Sequence, residues 1–257
     1  MSKILIGMVH LAALPGAPRA ALPLEQIEAR AVAEARLLHE AGFDGVIIEN
    51  FGDNPFFKTE VEPITIAAMT RVIRSICHAL PGCRVGVNVL RNDARAALSI
   101  AAATGAQFVR VNVHVGAAAT DQGVIEGQAA QTLRLRRALA TDIGIWADVH
   151  VKHARSLAHE TIEREAVDAV QRGMASAVIV SGQGTGHATR IEDLRAVAGL
   201  RLGVPVFVGS GATLENVAQL LQVADGVIVG TTLKQGGATE APLDPDRVRR
   251  FLAAARG

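Results

Sequence analysis

The sequence predicts a single-domain (β/α)8 barrel over residues 1–257. Three observations predict it. Eight short β-branched runs alternate with eight Ala/Leu/Arg/Glu-rich stretches of helical period. The chain has 257 residues, close to the roughly 250 that such barrels use as one domain. The first strand leads into His10-Leu11-Ala12-Ala13-Leu14-Pro15-Gly16, not into the GxGxxG turn that usually opens a doubly wound nucleotide-binding sheet. With 49% hydrophobic and 20% charged residues, the chain can bury a large core.

The elements follow in order. Ile4–His10 is an apolar run and predicts the first strand. Leu24–Ala41 has helical period and stops at Gly42, a residue suited to a left-handed C-cap. Asp44–Glu49 and Arg84–Leu90 predict strands two and three, with a helix at Ile64–Leu80 between them. Asp93–Thr104 is helical and closes at Gly105. Gln107–Val113 and Ile143–His150 predict strands four and five around a helix at Gly127–Ala140. His159–Arg172, ended by Gly173, leads to strand six at Ala177–Ser181. Ile191–Ala198, ended by Gly199, leads to strand seven at Val204–Gly209. Leu214–Gln222, Gly226–Gly230 and Asp246–Ala255 complete the alternation, with Thr213 and either Asp244 or Asp246 as helix N-caps. The long connections at residues 11–23, 50–63, 114–126 and 182–190 all follow strands, the face on which barrels of this kind build their sites.

Composition removes several function classes. A net charge of +1 gives no electrostatic reason to expect nucleic acid. With no Tyr, one Trp and seven Phe, base-stacking platforms are scarce. Cys77 and Cys83 form no CxxC pair, which argues against a zinc knuckle, an iron–sulfur cluster or a disulfide scaffold. No apolar run has the length of a membrane span, and the first residues lack a signal-peptide pattern. A cytoplasmic location is the expectation.

Strand parity selects the chemistry. Outward strand residues meet helices and are apolar, so the polar set Arg110, Asn112 and His114 of strand four is expected to point inward, as is the set Asp148, His150 and Lys152 of strand five. His10, Glu49 and Asn88 lie at the carboxyl ends of strands one, two and three. A pairing of Arg110 with Asp148 or Glu49 that merely fills the lumen would account for single members of this set. It accounts less well for the convergence of all of them, which is what a catalytic or binding mouth needs. Two uses fit. Asp148 or Glu49 with His150 forms a general acid/base pair, with Lys152 or Arg110 stabilising negative charge, and Asn112 and His10 beside them. Alternatively, Glu49, His114, Asp148 and His150 hold a divalent metal. Lys152 as a Schiff-base lysine is disfavoured, because Asp148 beside it would raise its pKa.

Phosphate binding is the sharper expectation. Gly209-Ser210-Gly211-Ala212-Thr213 follows strand seven, and Gly230-Thr231-Thr232 follows strand eight. Glycines let backbone N–H groups converge on an anion, and this pair of loops is where many barrels hold phosphate. Lys234 lies just beyond and is positioned to add charge. The loop Ser181-Gly182-Gln183-Gly184-Thr185-Gly186 can wrap a ligand but has neither Walker spacing nor a nucleophile elbow. Asn88, His114, Ser181 and Gln183 are therefore expected to contact the rest of the substrate.

Several blocks resemble one family. They are Gly7-Met8-Val9-His10-Leu11 with Leu14-Pro15-Gly16-Ala17-Pro18, Gly45-Val46-Ile47-Ile48-Glu49-Asn50 with Asp53 and Pro55-Phe56, and Arg110-Val111-Asn112-Val113 with Asp121-Gln122-Gly123. Ala147-Asp148-Val149-His150-Val151-Lys152-His153-Ala154 and Ser181-Gly182-Gln183-Gly184-Thr185-Gly186 complete the pattern. Together they resemble the BtpA/SgcQ family from residue 4 to about residue 235. The resemblance implies a TIM barrel and attaches no role to any residue. One family member is linked to photosystem I accumulation and another sits among carbohydrate-uptake genes. Two functions follow as expectations. One is an isomerase, lyase or hydrolase acting on a sugar phosphate or nucleotide-derived compound. The other is a non-catalytic assembly or regulatory factor of the BtpA type, using the apolar loop with Phe51, Phe56 and Phe57. A homo-oligomer is expected in either case.

Overall fold

The computed structural model describes residues 3–151, 153–182 and 189–257. Eight parallel strands close on themselves, and the chain returns through a helix after each. In chain order the barrel strands are β1 (Ile4–His10), β2 (Gly45–Glu49), β3 (Arg84–Asn88), β4 (Phe108–Val111), β7 (Gly144–Val149), β9 (Ala177–Val180), β10 (Val206–Val208) and β11 (Gly226–Val229). β11 pairs with β1 through Ile4 opposite Gly226, which closes the ring. The helices are α1 (Leu24–Ala41), α2 (Pro63–Ala79), α3 (Ala94–Thr104), α4 (Ala129–Ala138), α5 (Ile162–Gln171), α6 (Ile191–Gly199), α7 (Val217–Val223) and α8 (Pro245–Arg256). Gly42 and Gly105 end α1 and α3 in left-handed conformation, and the Asp244 carboxylate caps α8 by accepting from Asp246 and Arg247 N–H. Thr213 is not the cap of α7, which begins four residues later, at Val217, behind Asn216.

One element departs from the expectation of a plain loop at 114–126. Ala117–Thr120 (β5) and Gly123–Glu126 (β6) form an antiparallel hairpin, and Ala154–Ser156 (β8) adds to its other edge. This small sheet hangs on the connections after β4 and β7. Val113, Ala118, Ile125 and Val151 form its own apolar core.

The main core has two layers. Outward strand residues such as Val9, Val46, Val85 and Val109 pack under the helices. Inward residues fill the lumen: Ile6, Met8, Ile47, Ala177, Ile179 and Ile228 surround a stack of Phe108, Trp146 and Phe207. The Phe108 and Trp146 ring centroids are 3.9 Å apart and those of Trp146 and Phe207 4.3 Å. The stack needs a strand without a side chain beside it: a Cβ on Gly86 would stand 2.3 Å from the Phe108 ring. The lumen is thus closed by three rings, and Glu49, Asn88, Arg110 and Asp148 lie beyond them, toward the carboxyl ends of the strands.

Candidate functional site

Register carries three of the expected residues into one row. His10 stands opposite Glu49 across β1 and β2, and Glu49 stands opposite Asn88 across β2 and β3. His10 Nε2 lies 3.8 Å from Glu49 Oε1, and the His10 ring tilts against Phe51 at 5.0 Å. Glu49 is 2% exposed.

Beside this row, Arg110 and Asp148 form a bidentate pair inside the barrel. Arg110 Nε donates to both Asp148 oxygens at 3.2 Å, and Nη2 donates to Oδ1 at 3.0 Å. Asn112 Nδ2 donates to Oδ2 at 2.6 Å. Desolvation is the largest single influence on Arg110 and works against its charge. The charges of Asp148 and Glu49 and the Asp148 hydrogen bonds together outweigh it, so the guanidinium is held above its usual pKa. Asp148 is thereby occupied as a counter-ion, and Glu49 is the carboxylate left to face the mouth. Asn88 Nδ2 donates to Arg110 O and to Asn112 Oδ1, while its own Oδ1 is buried without a hydrogen-bond partner.

The two glycine loops come together as expected. Residues 209–215 and 228–232 line a cavity of about 270 Å³ with Met8, His10, Arg110, Gly237 and Arg247. Among the described residues, no hydrogen bond takes the N–H groups of Ser210, Gly211, Ala212, Thr231 or Thr232. Gly211 has φ +71°. A Cβ on Gly230 would stand 2.6 Å from His10 Cε1, and one on Gly209 would stand 3.2 Å from Arg110 Nη2, so the cradle is in van der Waals contact with the polar row. Side chains brace it: Ser210 Oγ accepts from Gly182 N, Thr189 Oγ1 donates to Ser210 O, and Thr232 Oγ1 donates to Ala212 O. Ser181 Oγ is buried without a partner beside Gly209. Thr231 Oγ1 shares a hydrogen bond with Thr239 Oγ1.

Three expected members are placed elsewhere. Strand alternation would carry β4 on to His114, but the strand ends at Val111 and the chain turns away. His114 is buried against α5, where Nε2–H donates to Gly173 O at 2.7 Å. Parity likewise continues β7 to His150. That strand ends at Val149, and His150 adopts φ +47°, with Nε2 3.6 Å from Glu165 on α5. His150 is therefore not joined to Asp148 or Glu49. Lys234 is fully buried, with Nζ 2.6 Å from Glu34 on α1. Burial pulls its pKa down against the pull of Glu34, and it ties the segment after β11 to α1 rather than forming part of the cradle. Lys152 and Gln183 lie outside the described residues. With Glu49, His114, Asp148 and His150 in four separate settings, the expected metal set is not assembled. Among the described residues no three His, Cys, Asp or Glu side chains are grouped to hold an ion.

Two groups lack a clear sequence signal. Arg91, 4% exposed, reaches the mouth from the turn after β3. Burial draws its pKa down, while Asp148, Glu49 and Asp121 oppose that. Asn50 and Asp53 lock three mouth loops together. Asp53 accepts from Leu14 N and Asn50 Nδ2, and Asn50 Oδ1 accepts from Leu90 N.

The His114 site makes a pH prediction. Desolvation holds its folded-state pKa below the ordinary value near 6.5. The unfolded chain then protonates first on acidification, so the His114 contribution is complete above about pH 6.5 and is lost as the pH falls below it. Denaturation midpoints between about pH 7.5 and 5 are expected to fall less steeply in His114→Gln than in wild type. The difference in slope is at most about 1.4 kcal/mol per pH unit. Equal slopes would contradict this.

The comparisons follow this geometry. Among solved structures, N-(5'-phosphoribosyl)anthranilate isomerase from Pyrococcus furiosus superimposes with a TM-score of 0.60 at 13% identity, covering 99% of each chain. Tryptophan synthase subunit alpha from Legionella pneumophila gives 0.61 at 16% identity, covering 99% of this chain and 91% of that one. At such identities they establish the fold alone, a TIM barrel. Among sequences, Photosystem I biogenesis protein BtpA of Synechocystis sp. is 46% identical over 249 residues, 97% of this chain and 86% of its own. An uncharacterized protein of Methanocaldococcus jannaschii is also 46% identical, over 97% of this chain and 94% of its own. The BtpA family model matches residues 1–257, and the chain belongs to the BtpA family.

Proposed function

We propose that this protein is an enzyme acting on a phosphorylated small molecule, with its phosphoryl group in the cradle formed by the loops after β10 and β11. The observation that carries this reading is a single cavity whose wall contains both glycine loops, the Arg110 guanidinium and His10. Backbone N–H groups and Arg110 supply complementary charge to the phosphate. His10 and Glu49, 3.8 Å apart, then stand beside the adjoining carbon or oxygen atoms. Glu49 as base takes a proton and His10 returns one, while Arg110 stabilises negative charge that develops on the substrate. The chemistry is acid/base chemistry of the isomerase or lyase kind. The fold neighbours lend support, since one carries a phosphoribosyl compound in its name.

A second reading has one specific observation behind it: the Synechocystis relative is named for photosystem I biogenesis. In that reading the exposed Phe57, on the loop after β2, meets a partner.

Thermal unfolding with ribose 5-phosphate and with ribose tests the first reading. Ligand at about 100 times its Kd adds about 2.7 kcal/mol, or about 5–10 °C in a chain of this size. The shift is expected with ribose 5-phosphate and not with ribose. If no sugar phosphate or nucleoside monophosphate raises the midpoint beyond its dephosphorylated counterpart, the reading fails.

A further inference from the structure

The mouth has a second chamber. Glu49, Phe51, Asn54, Phe56, Leu90, Arg91, Asp121, Gln122 and His153 enclose a cavity of about 430 Å³. Glu49 and Phe51 form one of its walls, and the same two residues contact His10, which lines the phosphate cradle. His10 on the cradle side and Glu49 and Phe51 on the chamber side are thus all that is shown to separate the two cavities.

Two features describe what that end is. The first is aromatic placement. The chain holds seven Phe and one Trp. Phe108, Trp146 and Phe207 stack in the lumen, and Phe43 stacks on Phe251 at 6.4 Å. The other three Phe, Phe51, Phe56 and Phe57, share one loop; Phe51 tilts against His10, and Phe51 and Phe56 line the chamber. Packing the barrel core does not call for them there, whereas a flat ring does. The second feature is a held acceptor. Gln122 Nε2 donates to the Asp121 carboxylate, which fixes the orientation of the amide. Among the described residues Gln122 Oε1 is buried with no hydrogen-bond partner, and Gln122 lines the chamber. A buried orphan acceptor is costly unless a ligand supplies the donor. The roof that carries both residues is the β5–β6 turn, part of the small sheet added to the basic barrel.

We propose that this chamber is a ring subsite, so that the substrate is a nucleoside monophosphate-like compound: a phosphate at one end and a planar nitrogen heterocycle with an N–H edge at the other. This rests on the phosphate reading above and narrows it. Phe51 and Phe56 meet the ring faces, Gln122 Oε1 accepts from the ring's N–H, and the Asp121 carboxylate accepts from an amino group on the ring. Aromatic contact of this kind separates ring-bearing from ring-less ligands by about tenfold or more.

The test is isothermal titration of wild type, Phe56→Ala and Gln122→Ala with AMP, CMP, GMP, UMP and ribose 5-phosphate. At least one amino-bearing nucleotide is expected to bind wild type about tenfold or more tightly than ribose 5-phosphate. Both variants are expected to lose most of that advantage while keeping ribose 5-phosphate affinity within about threefold. Ribose 5-phosphate binding as tightly as every nucleotide, or the variants weakening both ligand types alike, would overturn the ring subsite and leave the phosphate cradle standing. Binding of neither type would overturn both.

Discussion

Asp148→Ala is expected to lower the free energy of unfolding by about 3–5 kcal/mol, read as a fall in the guanidinium midpoint. Asp148 is 2% exposed and holds three donors: Arg110 Nε, Arg110 Nη2 and Asn112 Nδ2. Alanine leaves a guanidinium at 2% exposure facing a lumen sealed below by three aromatic rings, with Glu49 as the remaining nearby carboxylate named among its charge partners. The cost comes from the unpaired buried charge more than from the lost attraction. The double variant Arg110→Met with Asp148→Leu, which removes both charges, is therefore expected to lose much less than the single one. A loss under about 1 kcal/mol for Asp148→Ala would show that water or another anion compensates Arg110. The same variant would then bear on phosphate binding, because Arg110 faces the cradle on its other side.

Gly211→Asp is expected to weaken ribose 5-phosphate binding by about 100-fold or more. Among the described residues the Ser210, Gly211 and Ala212 N–H groups are unengaged, and a carboxylate placed among them would both occupy the proposed anion site and repel the phosphate. Two like charges about 4 Å apart at an effective dielectric constant near 20 repel by about 4 kcal/mol, which corresponds to a factor near 10³. The left-handed backbone at Gly211, φ +71°, is one that Asp tolerates better than most residues. Circular dichroism keeps the result interpretable: the fold should be retained while calorimetric binding disappears. Retained affinity in a folded Gly211→Asp protein would place the anion elsewhere.

The fold is legible in the sequence to a fine degree. Ile4–His10 and Leu24–Ala41 end where periodicity and Gly42 end them, and the remaining barrel strands are displaced by a residue or two at their ends. Alternation fails where the strand itself fails. It places Arg110, Asn112 and Asp148 inward correctly because these residues lie on β4 and β7 or one residue beyond. It misplaces His114 and His150 because it extends a two-residue period past Val111 and Val149, where the backbone has already turned. The small sheet escapes for a different reason: Ala117-Ala118-Ala119 has none of the β-branched or aromatic residues that mark a strand, and its pairing with Ala154–Ser156 is visible only in three dimensions. The role of Asp148 as counter-ion is equally invisible in one dimension. Sequence supplies two carboxylates, Glu49 and Asp148, and only the Arg110 geometry tells which of them is spoken for. The glycine cradle is legible because its chemistry is local: a glycine-rich turn directly after a barrel strand needs no distant partner to be recognised.

A crystal soaked with ribose 5-phosphate shows where the phosphate sits. The expected result is a phosphoryl group within hydrogen-bond distance of the Gly211 and Thr231 N–H groups, with the sugar extending toward His10 and Glu49. A phosphoryl group bound outside this cavity, with the two glycine loops left unoccupied, would contradict it.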